Sequence, residues 1–132
     1  MFCLTMNSSH LNFIKEINYI PVGLGTSNFS KDYFRDNTGM NIAEKNKYYG
    51  EYTFHYWLWK NYLDLDRDRE GWIGFCQYRK FWSTREDNLL PRSLEELRPL
   101  ILEEIPKSYE NYDVILGDPY FINKLKIMKF LK

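Results

Sequence analysis

Short apolar runs alternate along this chain with segments in which apolar residues recur at helical spacing. MFCLTM (1–6), apolar apart from Thr5, reads as a buried strand that breaks at Asn7-Ser8-Ser9. Ser8 or Ser9 then caps a short helix, HLNFIKEI (10–17), with Leu11, Ile14 and Ile17 on a shared face. YIPVGLG (19–25) reads as a second strand, and Pro21 predicts an edge position or a strand start. Residues 26–46 lose periodicity and read as a polar working loop. Phe29, Tyr33, Phe34 and Ile42 within it argue against disorder.

AEKNKYYGEYTFHYWLWKNYL (43–63) predicts a helix. Tyr48, Tyr52, Trp59 and Tyr62 or Leu63 follow helical spacing, as do Tyr49, Tyr56 and Leu63, so its apolar face is broad and wedged between other elements. DLDRDREG (64–71) reads as a solvated turn. A calcium loop would need glycine where Arg69 stands and a carboxylate at its twelfth position. WIGFCQY (72–78) predicts a strand of central type. SLEE (93–96) has the capping-box form and opens a helix carrying Leu94, Leu97, Ile101 and Ile105, kinked or split at Pro99 and ended by Pro106. YDVILG (112–117) predicts another buried strand, and YFINKLKIMKFLK (120–132) begins a basic amphipathic helix. Strands alternating with helices predict an α/β domain with a mostly parallel sheet flanked by helices. Its length suits a single domain, 1–132. The sequence stops within a helix, which predicts a sheet incomplete at its C-terminal side and a fragment of a longer domain.

Composition narrows the function classes. Hydrophobic residues at 44% and charged residues at 27% are proportions of a soluble globular protein. Eighteen basic and eighteen acidic residues give no net charge, which counts against a nucleic-acid partner. Cys3 and Cys76 lie in apolar runs and read as buried free thiols rather than a disulfide. No CxxC or histidine cluster suggests a metal site. MFCLTMNSSH (1–10) lacks a basic leader, and no apolar run approaches the roughly 20 residues that span a bilayer. These features predict a cytoplasmic protein.

In an open α/β sheet, ligands bind at the carboxyl ends of the strands. RDNTGMNIAEKN (35–46) is dense in short hydrogen-bonding side chains: Arg35, Asp36, Asn37, Thr38, Asn41 and Asn46 surround Gly39. Such a cluster suits a ribose, a base edge or a phosphate. Equally, Asp36 and Asn37 can make turns and Asn41 can cap the helix, closing the loop on itself. CQYRKFW (76–82) allows two readings as well. Gln77, Tyr78, Arg79 and Lys80 emerge from a strand end where Arg79 can grip a diphosphate, or they form the wet side of an alternating strand. His10 and His55 stand apart and read as surface or helix-face histidines.

DNTGMNIAEKNKYYGEYTFHYWLWKN (36–61) followed by WIGFCQYRKFW (72–82) resembles a family of bacterial capsular, exopolysaccharide and lipopolysaccharide biosynthesis proteins. Their pattern is an Asp-Asn-Thr-Gly-x-Asn-Ile loop, then a Glu-x-Thr…Tyr-Trp-x-Trp-Lys-Asn helix, then a Gly-Phe/Leu-x-His/Gln-Tyr-Arg-Arg/Lys-Tyr/Phe strand. The family is regarded as glycosyltransferases related to the GT-A fold, some transferring galactose or galactofuranose. The resemblance implies a GT-A-like, Rossmann-like sheet that binds a nucleotide-sugar donor of the UDP-hexose type. Its donor residues would be Thr5, Arg35, Asp36, Asn37, Thr38, Gly39, Asn41, Asn46, Gln77, Tyr78, Arg79 and Lys80. Many GT-A enzymes hold a divalent metal where Gln77-Tyr78-Arg79-Lys80 stands here, so Arg79 with Lys80 is expected to replace it and no cofactor is needed. Glu51 and Lys60 match the helix motif and are expected to brace the loop and sheet. Asp118 is the candidate base. Gln77 replaces the histidine of many relatives, and the second half of such a domain normally supplies acceptor contacts. The acceptor implied is a lipid-linked glycan or polysaccharide at the cytoplasmic membrane face, where KLKIMKFLK (124–132) suits either surface contact or ordinary packing. Two alternatives stand beside this: an inactive donor-binding fragment, and a single-stranded nucleic-acid module that stacks bases on aromatics near Arg79.

Overall fold

In the computed structural model of the chain, which describes residues 1–64, 71–83 and 93–117, β1 (Phe2–Thr5) is buried along its whole length. It pairs with β2 (Ile20–Gly23) on one side and β4 (Phe75–Gln77) on the other, while β3 (Phe34–Arg35) lies beyond β2. The order is β3-β2-β1-β4, and every pairing is parallel. Helix α1 (Leu11–Glu16) connects β1 to β2, and α2 (Asn46–Tyr49) and α3 (Tyr52–Asn61) lie between β3 and β4. This is an α/β fold of Rossmann-like design, as the alternation of strand and helix patterns predicts.

The two-residue period of the strands sorts the core into two layers. Phe2, Leu4, Val22 and Leu24 pack under Phe54, Trp57 and Leu58 of α3. Cys3 and Cys76 face the other way, with Ile14 of α1, Ile17, Tyr19 and Tyr33. Both faces are thus covered, as a parallel sheet requires. Both cysteines are buried free thiols. Tyr19 ties the later chain to this layer: its hydroxyl donates to the Leu102 carbonyl at 2.5 Å, and the Leu102 amide donates to the Trp82 carbonyl at 2.9 Å.

Several elements differ from the sequence pattern. Asn7, rather than Ser8 or Ser9, caps the first helical turn, accepting from the Ser9 amide at 2.9 Å. Pro21 sits inside β2, which is not an edge strand. The Ile20 and Leu24 amides donate toward β1, so strand alternation turns the Pro21 nitrogen toward β3, whose pairing begins only at Val22. β3 itself lies in the segment that reads as a loop, and two residues are too few to show a period.

The predicted helix over 43–63 is divided. A single 3-10 turn and α2 end at Gly50, whose φ of 54° and ψ of −130° suit glycine, and α3 restarts beyond it. Its buried face is Thr53, Phe54, Trp57 and Leu58. Tyr48, Tyr52, Trp59 and Tyr62, which share a helical spacing, are instead exposed. Both sets have period 3.6, and phenols tolerate water where Phe54 does not, so the pattern fixes the helix but not its rotation.

WIGFCQY yields only the three-residue β4, and among the described residues β4 pairs with β1 alone. Phe75 is already opposite Phe2, the first residue of β1, which leaves Trp72 and Ile73 without a partner strand. YDVILG forms no strand. Val114 and Leu116 are exposed, and residues 113–117 line an open cavity of about 830 Å³ with Trp72–Phe75 instead of bonding to them. Ser93 does cap α4 (Leu94–Leu97), accepting from the Glu96 amide at 3.2 Å, and the chain passes into a 3-10 turn at Pro99. Most of the 64–71 turn and the predicted helix over 120–132 fall outside the described residues.

Phe54 is fully buried and contacts the rings of Phe2, Trp57 and Phe75. Phe54→Ala is expected to lower stability by about 3–5 kcal/mol in urea denaturation. The exposed substitution Tyr48→Ala should stay within about 0.5 kcal/mol of the parent.

Candidate functional site

β1 leads through α1 to β2 on one side, whereas β4 lies on β1's other flank. The connections therefore part above the carboxyl ends of β1 and β4, the place where doubly wound sheets open a ligand crevice. Thr5, the last residue of β1, makes a 2.8 Å hydrogen bond between its hydroxyl and His10 Nδ1. The His10 ring stacks on Tyr78 with centroids 4.2 Å apart, so His10 and Tyr78 close one wall of the crevice. On β4, the Tyr78 amide donates to the Leu4 carbonyl at 3.2 Å. The chain then reverses in a tight turn, with Lys80 N–H donating to the Gln77 carbonyl at 3.0 Å. Arg79 and Lys80 stand exposed on this turn. The Arg79 guanidinium lies 5.5 Å from the centre of the Tyr78 ring, and neither cation forms an ion pair among the described residues.

The loop 35–46 forms a second, inward-facing constellation. Arg35 donates to the Gly25 carbonyl at 2.7 Å and the Ser27 carbonyl at 2.8 Å, and lies over the Phe29 ring. Asp36 has no exposed surface; its carboxyl accepts from the Gly25 amide at 2.8 Å and from the Thr53 hydroxyl at 2.5 Å. Asn46 donates to Thr53 Oγ1 at 3.0 Å and to the Gly50 carbonyl at 2.8 Å. Trp57 donates its indole N–H to the Thr38 carbonyl at 2.9 Å, and Asn61 clasps both backbone groups of Met40. Asn41 accepts from the Ala43 amide at 3.2 Å, and Gly39 adopts a φ of 53°. Hydrogen bonds within the loop, to α3 and to the turn after β2 thus engage Asp36, Thr38, Asn41 and Asn46. The β2–β3 connection holds the two terminal guanidinium nitrogens of Arg35, while its Nε is buried without a partner among the described residues. Asn37 is exposed and makes no side-chain hydrogen bond among the described residues.

A cleft of about 420 Å³ lies beside β4, below the Gln77–Lys80 turn. Glu51, just before α3, accepts a short hydrogen bond from the Gln77 side-chain amide, and so joins α3 to the sheet. His55, one helical turn later, lines the same cleft, and its Nε2 is buried without a partner. Burial lowers the His55 pKa, partly opposed by the Glu51 carboxylate. The pattern reading leaves His55 apart and gives Glu51 only a bracing part. Their four-residue separation on a helix was the available signal, since it puts both on one face. Lys60, the other motif residue, reaches neither loop nor sheet; its ammonium lies over the exposed Trp59 ring at 3.4 Å.

The structure therefore gathers Thr5, Gln77, Tyr78, Arg79 and Lys80, with His10, Glu51 and His55, around the ends of β1 and β4. It holds Arg35–Asn46 in a separate brace, and Asp118 lies outside the described residues. Among those residues, no group of three or more His, Cys, Asp or Glu is placed to hold a metal, and no helix is long and apolar enough to cross a membrane. A family model described as Domain of unknown function (DUF4422) matches residues 4–129, and the chain belongs to that family. No curated protein and no solved structure matches it.

Burial raises the pKa of Asp36 above the ordinary carboxylate value of 3.8, outweighing its bonds to Thr53 and Gly25 and the nearby Arg35 charge. A carboxyl group with a raised folded pKa is most favourable to folding below its unfolded pKa, and that contribution is lost as pH rises through the folded pKa. Subtracting the urea stability of Asp36→Asn from that of the parent should give a difference that declines from pH 4 upward. A difference rising with pH would contradict the assignment.

Proposed function

We propose that this DUF4422 domain is a glycosyltransferase that moves a hexose from a nucleoside-diphosphate donor of the UDP-hexose type onto a surface polysaccharide or lipid-linked glycan. The observation carrying this reading is the Gln77–Lys80 turn at the carboxyl end of β4, with two exposed cations that form no ion pair among the described residues beside the crevice shared with β1. When the bond from sugar to diphosphate breaks, negative charge develops on the departing phosphate oxygens, and transfer is fast only if fixed positive charge meets it. The planar Arg79 guanidinium suits two phosphate oxygens at once, and Lys80 adds a point charge. In this role they replace a divalent metal. Thr5 and Gln77 supply hydroxyl and amide groups at the same edge, and Asn37 is an exposed loop residue whose side chain makes no hydrogen bond among the described residues.

The loop motif has a different part in this reading. Its side chains do not contact the donor directly; they fix α3, and through Glu51 they fix Gln77. The acceptor side of the reaction is expected at the cytoplasmic membrane face. The nucleic-acid alternative needs bases stacked on an open surface, usually a sheet face. Here helices cover both faces of the sheet, and the exposed Tyr48, Tyr52 and Trp59 lie on α2 and α3.

Titration calorimetry with UDP and UDP-hexoses tests the reading, alongside a transfer assay. Wild type is expected to bind UDP, with Arg79→Ala weakening binding at least about tenfold, since charge-assisted bonds contribute about 1.5–3 kcal/mol. The same variant should abolish transfer, while EDTA leaves wild-type transfer intact. Metal-dependent transfer would remove Arg79 from its assigned part. UDP binding without transfer would identify a donor-binding fragment, and oligonucleotide binding in place of UDP would overturn the reading altogether.

A further inference from the structure

The cleft beside β4 contains groups that a diphosphate does not need. Its walls are largely aromatic, Tyr52 and Trp82 among them, and its polar groups are Glu51, His55, Gln77 and Lys80. One carboxylate and one ammonium leave it without net charge, and Glu51 would repel a phosphate placed against it. A single carboxylate is also too few for a divalent cation. The volume of about 420 Å³ falls in the range of small-molecule sites, which pair apolar walls with a few directed polar groups.

Two polar groups in the cleft have unmet capacity. The Gln77 amide holds one oxygen of Glu51, and the other makes no hydrogen bond among the described residues. His55 Nε2 is buried and unpartnered between the rings of Tyr52 and Phe75. A buried nitrogen without a partner is costly and marks a place where a ligand group fits. Burial keeps the imidazole neutral, so its ring nitrogens include an acceptor as well as a donor. A hydroxyl, which both donates and accepts, is the partner that suits a neutral imidazole and a carboxylate alike.

We infer that this cleft binds a neutral hexose ring, its C–H face against the aromatic walls and its hydroxyls on Glu51, Gln77 and His55. Pyranoses carry an apolar face edged by hydroxyls, and the lining has the complementary arrangement. Gln77 and Lys80 belong both to the cleft and to the turn that carries Arg79. A ring in the cleft therefore adjoins a diphosphate held by Arg79. The inference rests on the proposed function only for the source of the ring, donor hexose or acceptor glycan.

Nuclear magnetic resonance of the whole chain, with the His55 ring nitrogens and the Trp82 indole N–H as reporters, tests this. The probes are methyl β-galactopyranoside, methyl α-glucopyranoside, UDP and UDP-galactose. Saturable shifts at both reporters with a methyl hexoside support the site and indicate an acceptor ring. Shifts with UDP-galactose but neither UDP nor methyl hexosides support it and indicate the donor ring. Tyr52→Ala alters a residue that is 69% exposed and should leave the fold intact. Both it and Glu51→Gln should weaken sugar binding about tenfold. Silence of both reporters with every sugar, equal shifts with UDP alone, or unchanged affinity in both variants overturns the inference. Binding of a methyl hexoside by a chain that ignores UDP would sustain the cleft while removing the transferase reading.

Discussion

The carboxyl group of Asp36, fully buried where β3 ends, is the interaction on which the rest of the arrangement depends. Its two oxygens join the turn after β2, at Gly25, to α3, at Thr53. Asn46 joins the same Thr53 hydroxyl to the Gly50 carbonyl, where α2 gives way to α3. These bonds set where α3 begins, and so where Glu51 meets Gln77 over the end of β4. A buried carboxyl with one partner fewer would be strongly unfavourable, so the cluster specifies a single geometry for the loop. Arg35 and Phe29 close the same region from the side of the β2–β3 connection.

This brace changes the meaning of the loop motif. Asp36, Thr38, Asn46, Trp57 and Asn61 are spread over three segments, yet all act to clip the loop against α3. A motif with this many short polar side chains resembles a ligand cradle in one dimension. In three dimensions Asp36, Thr38, Asn46, Trp57 and Asn61 spend their donors and acceptors on the fold itself, while Arg35 keeps its Nε buried without a partner among the described residues. Among the described residues, the groups with capacity to spare across the sheet edge are Arg79, Lys80, the second oxygen of Glu51 and His55 Nε2, and those carry the proposed chemistry.

Much of the architecture is legible in the sequence because burial imposes a period on it. β1, β2 and the positions of α1 and α3 follow from apolar spacing. α4 begins where Ser93 predicts, but it ends at Leu97 in a 3-10 turn around Pro99, and Ile101 and Ile105, expected on the same helix as far as Pro106, lie outside it. Rotation about α3 is not legible, because Phe54, Trp57 and Leu58 compete with an equally periodic set of tyrosines whose hydroxyls can remain in water. β3 is too short to show a pattern, and the extent of β4 depends on where β1 begins rather than on its own residues. Apolar alternation in YDVILG looks like a strand, yet pairing also needs a neighbour within bonding distance. For the site, the strand-end position of Gln77–Lys80 is readable. The approach of Glu51 and His55 to that strand emerges only once Asp36 has fixed the helix.

The central claim is that the working crevice lies between the carboxyl ends of β1 and β4. Amide hydrogen exchange with and without UDP is its most direct test, because it reads location without assuming any catalytic step. The account predicts slowed exchange confined to residues 5–10 and 77–80, with the outer faces of α2 and α3 unaffected. Protection centred on Tyr48, Tyr52 and Trp59, or none near β1 and β4, would contradict it.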